Sequence, residues 1–92
     1  TKDVAELVTD GVSLPLVHLA STCSDPAVLL FVTEAISAIC LYESEKPKLM
    51  EKGIMWHGGA KLLVKLVSEV EDEEVLENVT KGLAYLGEVE SH

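Results

Sequence analysis

The side chains of this 92-residue chain that could carry chemistry are two cysteines, three histidines and a dense group of carboxylates. His18 and Cys23 are five residues apart, a spacing that does not bring two side chains to one face of a helix. It therefore supports neither a nucleophile–base pair nor a zinc site. Glycine-rich phosphate loops, His-Glu-x-x-His, Cys-x-x-Cys and Gly-x-Ser-x-Gly motifs are also absent from the sequence. We predict that the chain is not an enzyme and holds no cofactor and no metal.

The densest group of charged side chains is acidic and lies between residues 69 and 77. Its members are Glu69, Glu71, Asp72, Glu73, Glu74 and Glu77. One interpretation is a surface that attracts a basic partner. The stronger interpretation is helix capping, in which Asp72 accepts bonds from free amides and the acids after it face the positive end of the helix dipole. The spacing does not fit a calcium-binding EF-hand loop, which needs a glycine at its sixth position and a glutamate at its twelfth.

The net charge excludes several classes of partner. Sixteen acidic residues stand against seven basic ones, all of them lysines, and the formal net charge is −9. Because nucleic acids and anionic membranes are bound by clustered lysines and arginines, we expect neither as a partner. A protein or peptide partner, and a basic one in particular, suits this charge.

Composition predicts a small soluble domain inside the cell. Apolar residues make up 48% of the chain, and the longest apolar run, residues 27–32, is far shorter than the roughly 18 residues that suggest a membrane span. Cys23 and Cys40 are too few to staple a secreted scaffold, so we expect free thiols in an intracellular, cytoplasmic protein. Since the chain opens at Thr1 without a leader-like segment, we expect a piece of a longer protein.

Apolar residues recur at helical spacing along nearly the whole chain, which predicts an all-helical fold. A long helix is predicted to begin at Asp25, because aspartate caps a helix and Pro26 suits its first position. A second long helix is predicted to begin at Asp72 and to end at Gly87. A shorter helix is predicted before each long one, over residues 13–22 and 60–70. The apolar stripes of the four helices are Leu16, Val17, Leu19, Val28, Leu29, Val32, Ala35, Ile36, Ile39, Cys40, Leu63, Val64, Leu66, Val67, Val75, Leu76, Val79, Leu83 and Leu86.

The four predicted helices form two copies of one unit. Residues 13–40 overlay residues 60–87 at a shift of 47, with nine identities in 28 positions. Ahead of this block the shift changes to 42, which pairs Gly11 with Gly53 and places an insertion within residues 55–59. A helical turn over residues 47–52 is predicted to lead the second copy. A unit of this length is typical of helical-repeat proteins.

The stretch HGGAKLLVKLVSEVEDEEVLENVTKGLAYL resembles the core of an armadillo repeat, in which a Gly-Gly precedes a leucine-rich helix, an acidic turn and a long third helix. The stretch DGVSLPLVHLASTCSDPAVLLFVTEAISAI is a more divergent copy. HEAT repeats are the near alternative, but Gly58, Gly59 and the short helix over residues 47–52 favour the armadillo unit. The resemblance implies an all-α, right-handed α-α superhelix. Residues 1–92 would then form a single helical-repeat unit, with repeat one at about residues 3–42 and repeat two at about residues 45–88.

Armadillo arrays bind partners along a groove lined by their third helices. Members that hold extended peptides do so with an asparagine near the end of that helix and a tryptophan one turn earlier. Here Ala38 and Tyr85 take the asparagine position and Glu34 and Lys81 take the tryptophan position, so any groove must bind differently. One hypothesis is a polar, one-aromatic binding surface at these residues. The alternative is a solvated helix face on which Lys81 pairs with Glu77.

The only tryptophan, Trp56, lies in the insertion. Exposed at a loop tip, Ile54, Met55 and Trp56 would form an apolar anchor for a partner. Folded inward, Trp56 would fill the gap that the insertion creates between the repeats, and this is the interpretation we favour.

Two functional hypotheses follow from these patterns. The leading one is a non-catalytic protein–protein interaction module, an armadillo-like segment of a longer scaffold or adaptor. The alternative is a structural segment whose uncovered repeat faces mediate self-association or packing against neighbouring domains, since helical repeats usually need at least three units and polar ends.

Overall fold

A computed structural model of the chain describes residues 3–45, 53–54 and 57–90. These residues form five helices and no strand, so the predicted all-α class is confirmed. The helices are α1 (Val4–Thr9), α2 (Ser13–Thr22), α3 (Pro26–Glu45), α4 (Gly59–Glu69) and α5 (Glu73–Glu90). The right-handed superhelix stays a prediction.

The two long helices begin as predicted, each behind an aspartate cap. The Asp25 side chain accepts a bond from the amide of Ala27 at 2.9 Å. The Asp72 side chain accepts bonds from the amides of Glu74 and Val75 at 2.9 and 3.1 Å. Both caps satisfy amides that have no partner within the first turn of a helix.

The predicted end of the second long helix at Gly87 is wrong, because α5 continues through this residue to Glu90. A glycine ends a helix when it takes a left-handed conformation, and Gly87 does not have a positive φ. A glycine inside a helix lowers helix stability by only about 1 kcal/mol relative to alanine, so the helix continues through Gly87.

The glycines before the short helices correct the predicted register. Positive φ angles occur at Gly11 (86°) and Gly58 (80°), which are 47 residues apart and each stand just before a short helix. The structural counterpart of Gly11 is therefore Gly58, and the shift of 47 extends back to this turn. The extra residues of the second copy precede Gly58, whereas the sequence comparison placed them within residues 55–59. The helical turn predicted over residues 47–52 lies outside the described residues.

The packing of α5 on α3 is the most extensive contact between any two described helices. The short helix α2 packs on α3, α4 packs on α5, and α2 also contacts α4. These contacts arrange the four helices in two layers, α2 with α4 and α3 with α5, while α1 packs against α3. The buried apolar core comprises Val8, Val17, Ala20, Leu29, Val32, Ile36, Ile39, Cys40, Ile54, Leu62, Leu63, Leu66, Val75, Val79 and Leu86. Each large apolar side chain buried in this way stabilises the fold by about 1.5–3 kcal/mol.

One side-chain amide joins the two long helices across this apolar interface. The Nδ2 group of Asn78 donates to the carbonyl oxygen of Leu30 at 3.1 Å and lies 3.3 Å from the Oγ1 of Thr33. The buried Thr33 hydroxyl itself donates to the carbonyl oxygen of Leu29 at 2.6 Å. Since apolar contact is not directional, these bonds select one register of α5 along α3. They also occupy the nitrogen to which a glycan would attach in the Asn-Val-Thr sequence at this position.

Helix α3 is long and apolar enough, by length and composition, to cross a membrane. Its 20 residues have a mean hydropathy of 1.6 over the most apolar window. In the structure it is the central core helix, and core helices of this composition meet the same criterion.

We expect Asn78→Ala to lower the free energy of unfolding by about 1–2 kcal/mol, because a net hydrogen bond contributes roughly 1 kcal/mol and this change removes the contacts of Asn78 with two groups on α3. Urea denaturation followed by circular dichroism measures the loss. Thr80→Ala is the matched control, since the exposed Thr80 hydroxyl bonds only to carbonyls of its own helix. Its unfolding free energy should change by no more than about 0.5 kcal/mol. Equal losses in both variants would contradict the role assigned to Asn78.

Candidate protein-interaction surfaces

The four residues of the predicted groove lie on the two long helices that pack together. Glu34 and Ala38 on α3 are exposed, as is Lys81 on α5, and Tyr85 is half-buried against the core. Lys81 forms an ion pair with Glu77 at 3.1 Å, as the alternative interpretation expected. Both side chains are mostly exposed, so the pair contributes only a few tenths of a kcal/mol. No hydrogen bond or ion pair joins the four predicted residues to one another within the described part of the chain.

The other predicted contact residue, Trp56, lies outside the described residues. Its surroundings are described on both sides, at Gly53–Ile54 and from His57 onward. Ile54 is fully buried in the core, so one member of the predicted apolar anchor points inward.

A buried carboxylate that the sequence analysis missed holds this segment. Glu43, in the last turns of α3, is completely inaccessible to solvent, and its Oε1 accepts a hydrogen bond from the backbone amide of Ile54. The Ile54 carbonyl in turn accepts bonds from the amides of His57 at 3.2 Å and Gly59 at 2.8 Å. One side chain of α3 thereby fixes the turn from which α4 begins. Its position in the sequence could have indicated burial. Glu43 follows Ile36 by seven residues and Ile39 by four, which places it on the buried face of the helix.

Gly53 is required where it stands because the Glu43 carboxylate occupies the space that a Cβ would take. We expect Gly53→Ala to destabilise the protein by about 1–3 kcal/mol, the usual cost of forcing extra volume into a packed site. Gly87→Ala is the control, since a Cβ there meets no atom within 4 Å. It should stabilise the helix by up to about 1 kcal/mol. Opposite signs in chemical denaturation are expected, and a destabilising Gly87→Ala together with a neutral Gly53→Ala would contradict this account.

Helix capping explains only part of the acidic cluster at residues 69–77. Asp72 caps α5, Glu73 and Glu74 lie in its first turn, and Glu77 pairs with Lys81. Glu69 and Glu71 are exposed, and their carboxylates make no hydrogen bond or ion pair with any other described residue. Glu69 is the last residue of α4, at the end of a helix where the dipole disfavours negative charge.

These two acids border a cleft of about 330 Å³ between the turn that joins α2 to α3 and the turn that joins α4 to α5. The apolar lining residues of the cleft are Leu29, Leu66, Val70 and Val75, and its polar lining residues are Ser24, Glu69, Glu71 and Asp72. Cys23 and Pro26 complete the lining. The acids are evident in the sequence but the cleft is not, since the two turns are 47 residues apart and only the stacking of the copies brings them together.

The two cysteines are free thiols, as predicted, and their environments differ. Cys23 is half-buried at the cleft, whereas Cys40 is completely buried in the core. Burial, and secondly the nearby Glu43 carboxylate, raise the pKa of the Cys40 thiol from 9.0 to about 12. Cys40 is therefore a protonated core side chain at every physiological pH.

We expect a thiol reagent to modify Cys23 and spare Cys40 in the native protein, and to modify both after denaturation. The thiolate is the reacting species, and burial disfavours it at Cys40. The same pKa shift predicts that stability falls as pH rises from 9.0 towards about 12, because only the unfolded chain releases the Cys40 proton in this window. Colourimetric thiol counting and alkaline denaturation measure the two effects. Rapid native labelling in Cys23→Ser would contradict the assignment.

The two sides of the layered structure that no described helix covers carry apolar residues that were predicted for the core. Equivalent residues of the two copies have opposite exposure: Leu19 is 41% exposed and Leu66 is 5% exposed, while Val17 is 9% exposed and Val64 is 60% exposed. The same inversion holds for Val28 against Val75 and for Ala20 against Val67. Each copy packs one side against the other copy and leaves its opposite side open.

The open side of the first copy, which we call the α2–α3 end face, comprises Leu19, Val28 and Phe31. Phe31 is 69% exposed, and its counterpart in the second copy is Asn78, which bonds to α3. Phe31 was not among the predicted contact residues. The repeat could have identified it, because Phe31, the only phenylalanine in the chain, is equivalent to Asn78, and Asn78 contacts the other copy.

Within residues 3–45, 53–54 and 57–90, no three His, Cys, Asp or Glu side chains are grouped so as to hold a metal ion. Comparison of the chain with protein-family models, with curated proteins and with solved structures finds no match.

Proposed function

We propose that the chain is a non-catalytic protein–protein interaction module, an armadillo-like segment of a longer intracellular, cytoplasmic scaffold or adaptor. Its partner would be a protein or peptide, and neither nucleic acid nor membrane. The net charge of −9 supports this choice, because the chain has few cations with which to bind phosphates. The two free thiols and the engaged amide of Asn78 support a location inside the cell.

The observation that carries the proposal is the inverted exposure of equivalent apolar residues. Exposed apolar side chains are common when scattered, but Leu19, Val28 and Phe31 are the counterparts of residues that the second copy uses to contact the first. Because these positions are apolar on the uncovered side of the first copy, this side is suited to contact with another protein surface.

The groove residues are a second part of the proposal. Tyr85 offers a rigid, half-buried aromatic ring beside the exposed Lys81, and Glu34 and Ala38 are exposed on the neighbouring helix. A partner in contact with these residues would bury an aromatic ring, the side-chain type enriched at binding hot spots. Trp56 belongs to the same proposal as a contact residue of the insertion.

The alternative function is self-association or inter-domain packing through the same uncovered faces. The opposite open side, at Val64 and Val67 on α4, supports it, because both sides of the layered structure then expose apolar residues. In this case the α2–α3 end face of one copy would be covered by another copy or by a neighbouring domain.

Site-specific cross-linking in the native cells tests the proposal. A photoreactive amino acid is placed at Phe31, at Tyr85 or at the control position Glu6. On illumination it forms a covalent adduct with any protein that lies next to that position. Glu6 is exposed in the first turn of α1. We expect protein adducts from Phe31 or Tyr85 that are absent at Glu6, because a bound partner lies within reach of contact residues only.

The identity of the adduct separates the two functions. A different protein at either position supports the interaction module, whereas a cross-link to a second copy of the chain, or within one chain to a neighbouring domain, supports the alternative function. Adducts at Phe31 and Tyr85 no more abundant than those at Glu6 would contradict both.

A further inference from the structure

We propose that the cleft between the α2–α3 turn and the α4–α5 turn binds a peptide segment in which lysine or arginine residues flank an apolar residue. This inference rests on the proposed function and assigns a further contact site to the module, lined by residues other than those of the end face and the groove. The site is formed where the equivalent turns of the two copies lie side by side.

The floor of the cleft suits an apolar side chain. Leu29 and Leu66 are 6% and 5% exposed and Val75 is fully buried, so the floor is held rigidly by the core. Val70 and Cys23 are half-buried and form its upper walls. Its volume of about 330 Å³ falls at the lower end of the range found for ligand sites, roughly 300–1,000 Å³.

The rim selects for positive charge. Three carboxylates, those of Glu69, Glu71 and Asp72, line the cleft, and none of the described lysines does. Asp72 is engaged by the amides that it caps, but the carboxylates of Glu69 and Glu71 make no hydrogen bond or ion pair with the described residues. Their charges are therefore available to a cationic group that arrives from outside.

The helix ends at the cleft do not neutralise these two charges. The amino ends of α3 and α5 carry partial positive charge there, and Asp25 and Asp72 already cap them. The carboxyl ends of α2 and α4 also lie at the cleft and add partial negative charge, and neither helix has a basic residue in its last turn. Glu69 stands at the end of α4, where it destabilises the helix slightly and serves no capping role.

The combination of floor and rim identifies the occupant as a basic peptide. An isolated metal ion would use the carboxylates and leave the apolar floor uncovered, and the described side chains include no metal-binding group of three. Lysine and arginine side chains have an aliphatic stem and a charged end, which match an apolar floor below an acidic rim. A leucine or similar residue between them would fill the remaining apolar space.

Cys23 provides a direct readout of occupancy, because it lines the cleft and Cys40 is inaccessible in the core. The probe is a short fluorescein-labelled peptide of lysines around one leucine, compared with a peptide in which serine replaces leucine and one in which glutamates replace the lysines. We expect anisotropy to show binding of the first peptide and saturating peptide to slow the alkylation of Cys23. Affinity should fall with added salt, since the rim carboxylates are exposed.

Charge reversal tests the rim. In Glu69→Lys/Glu71→Lys the Kd should rise about tenfold or more, and in the control Glu6→Lys/Glu45→Lys, which has the same change in net charge, by no more than about twofold. Circular dichroism should confirm helix content in both. Glu69→Lys favours the dipole at the end of α4, so loss of binding in this variant does not reflect unfolding.

Three results would overturn the inference: no binding of the lysine–leucine peptide, binding without protection of Cys23, or equal loss of affinity in the two double variants. Each of these outcomes is independent of cross-linking at Phe31 and Tyr85. Failure of the cleft and failure of the proposed function are therefore distinguished.

Discussion

The packing of α5 on α3 is the contact on which the other features depend. It is the most extensive contact between any two of the described helices, and it brings together turns that are distant in sequence. Apolar contact alone tolerates sliding, so the bonds of Asn78 to Leu30 and Thr33 give the interface a defined position. The cleft, the groove residues and the open sides of both copies all take their places from this one alignment.

The buried carboxylate of Glu43 plays a comparable part at the other end of α3. Taking a carboxylate out of water is costly unless it is bonded, and the amide of Ile54 supplies a bond. The turn ahead of α4 is thereby tied to α3 by a polar contact as well as by the burial of Ile54. The requirement for Gly53 follows from the same side chain, because the two cannot both fill one volume.

Local signals in the sequence predicted the elements well and their exposure less well. Asp25 and Asp72 mark helix starts through bonds formed within a few residues, so their positions were predictable. The predicted helix end at Gly87 was wrong because a glycine permits a helix to end but does not require it. Val28 and Leu19 were assigned to the core because helical spacing identifies an apolar face, whereas the neighbour that covers that face is set by packing between copies. Glu43 and the cleft likewise depend on contacts between distant segments, which periodicity does not report.

The order of the helices along the chain has a consequence during synthesis. Helix α3 is long and strongly apolar, and α5, which packs on it most extensively, is the last of the five helices to be made. A growing chain that ends before residue 73 would leave exposed the side of α3 that α5 covers. Nascent segments of this kind are bound by chaperones or aggregate. The stretch between α3 and α5 therefore sets how long the nascent protein must be protected before its core can close.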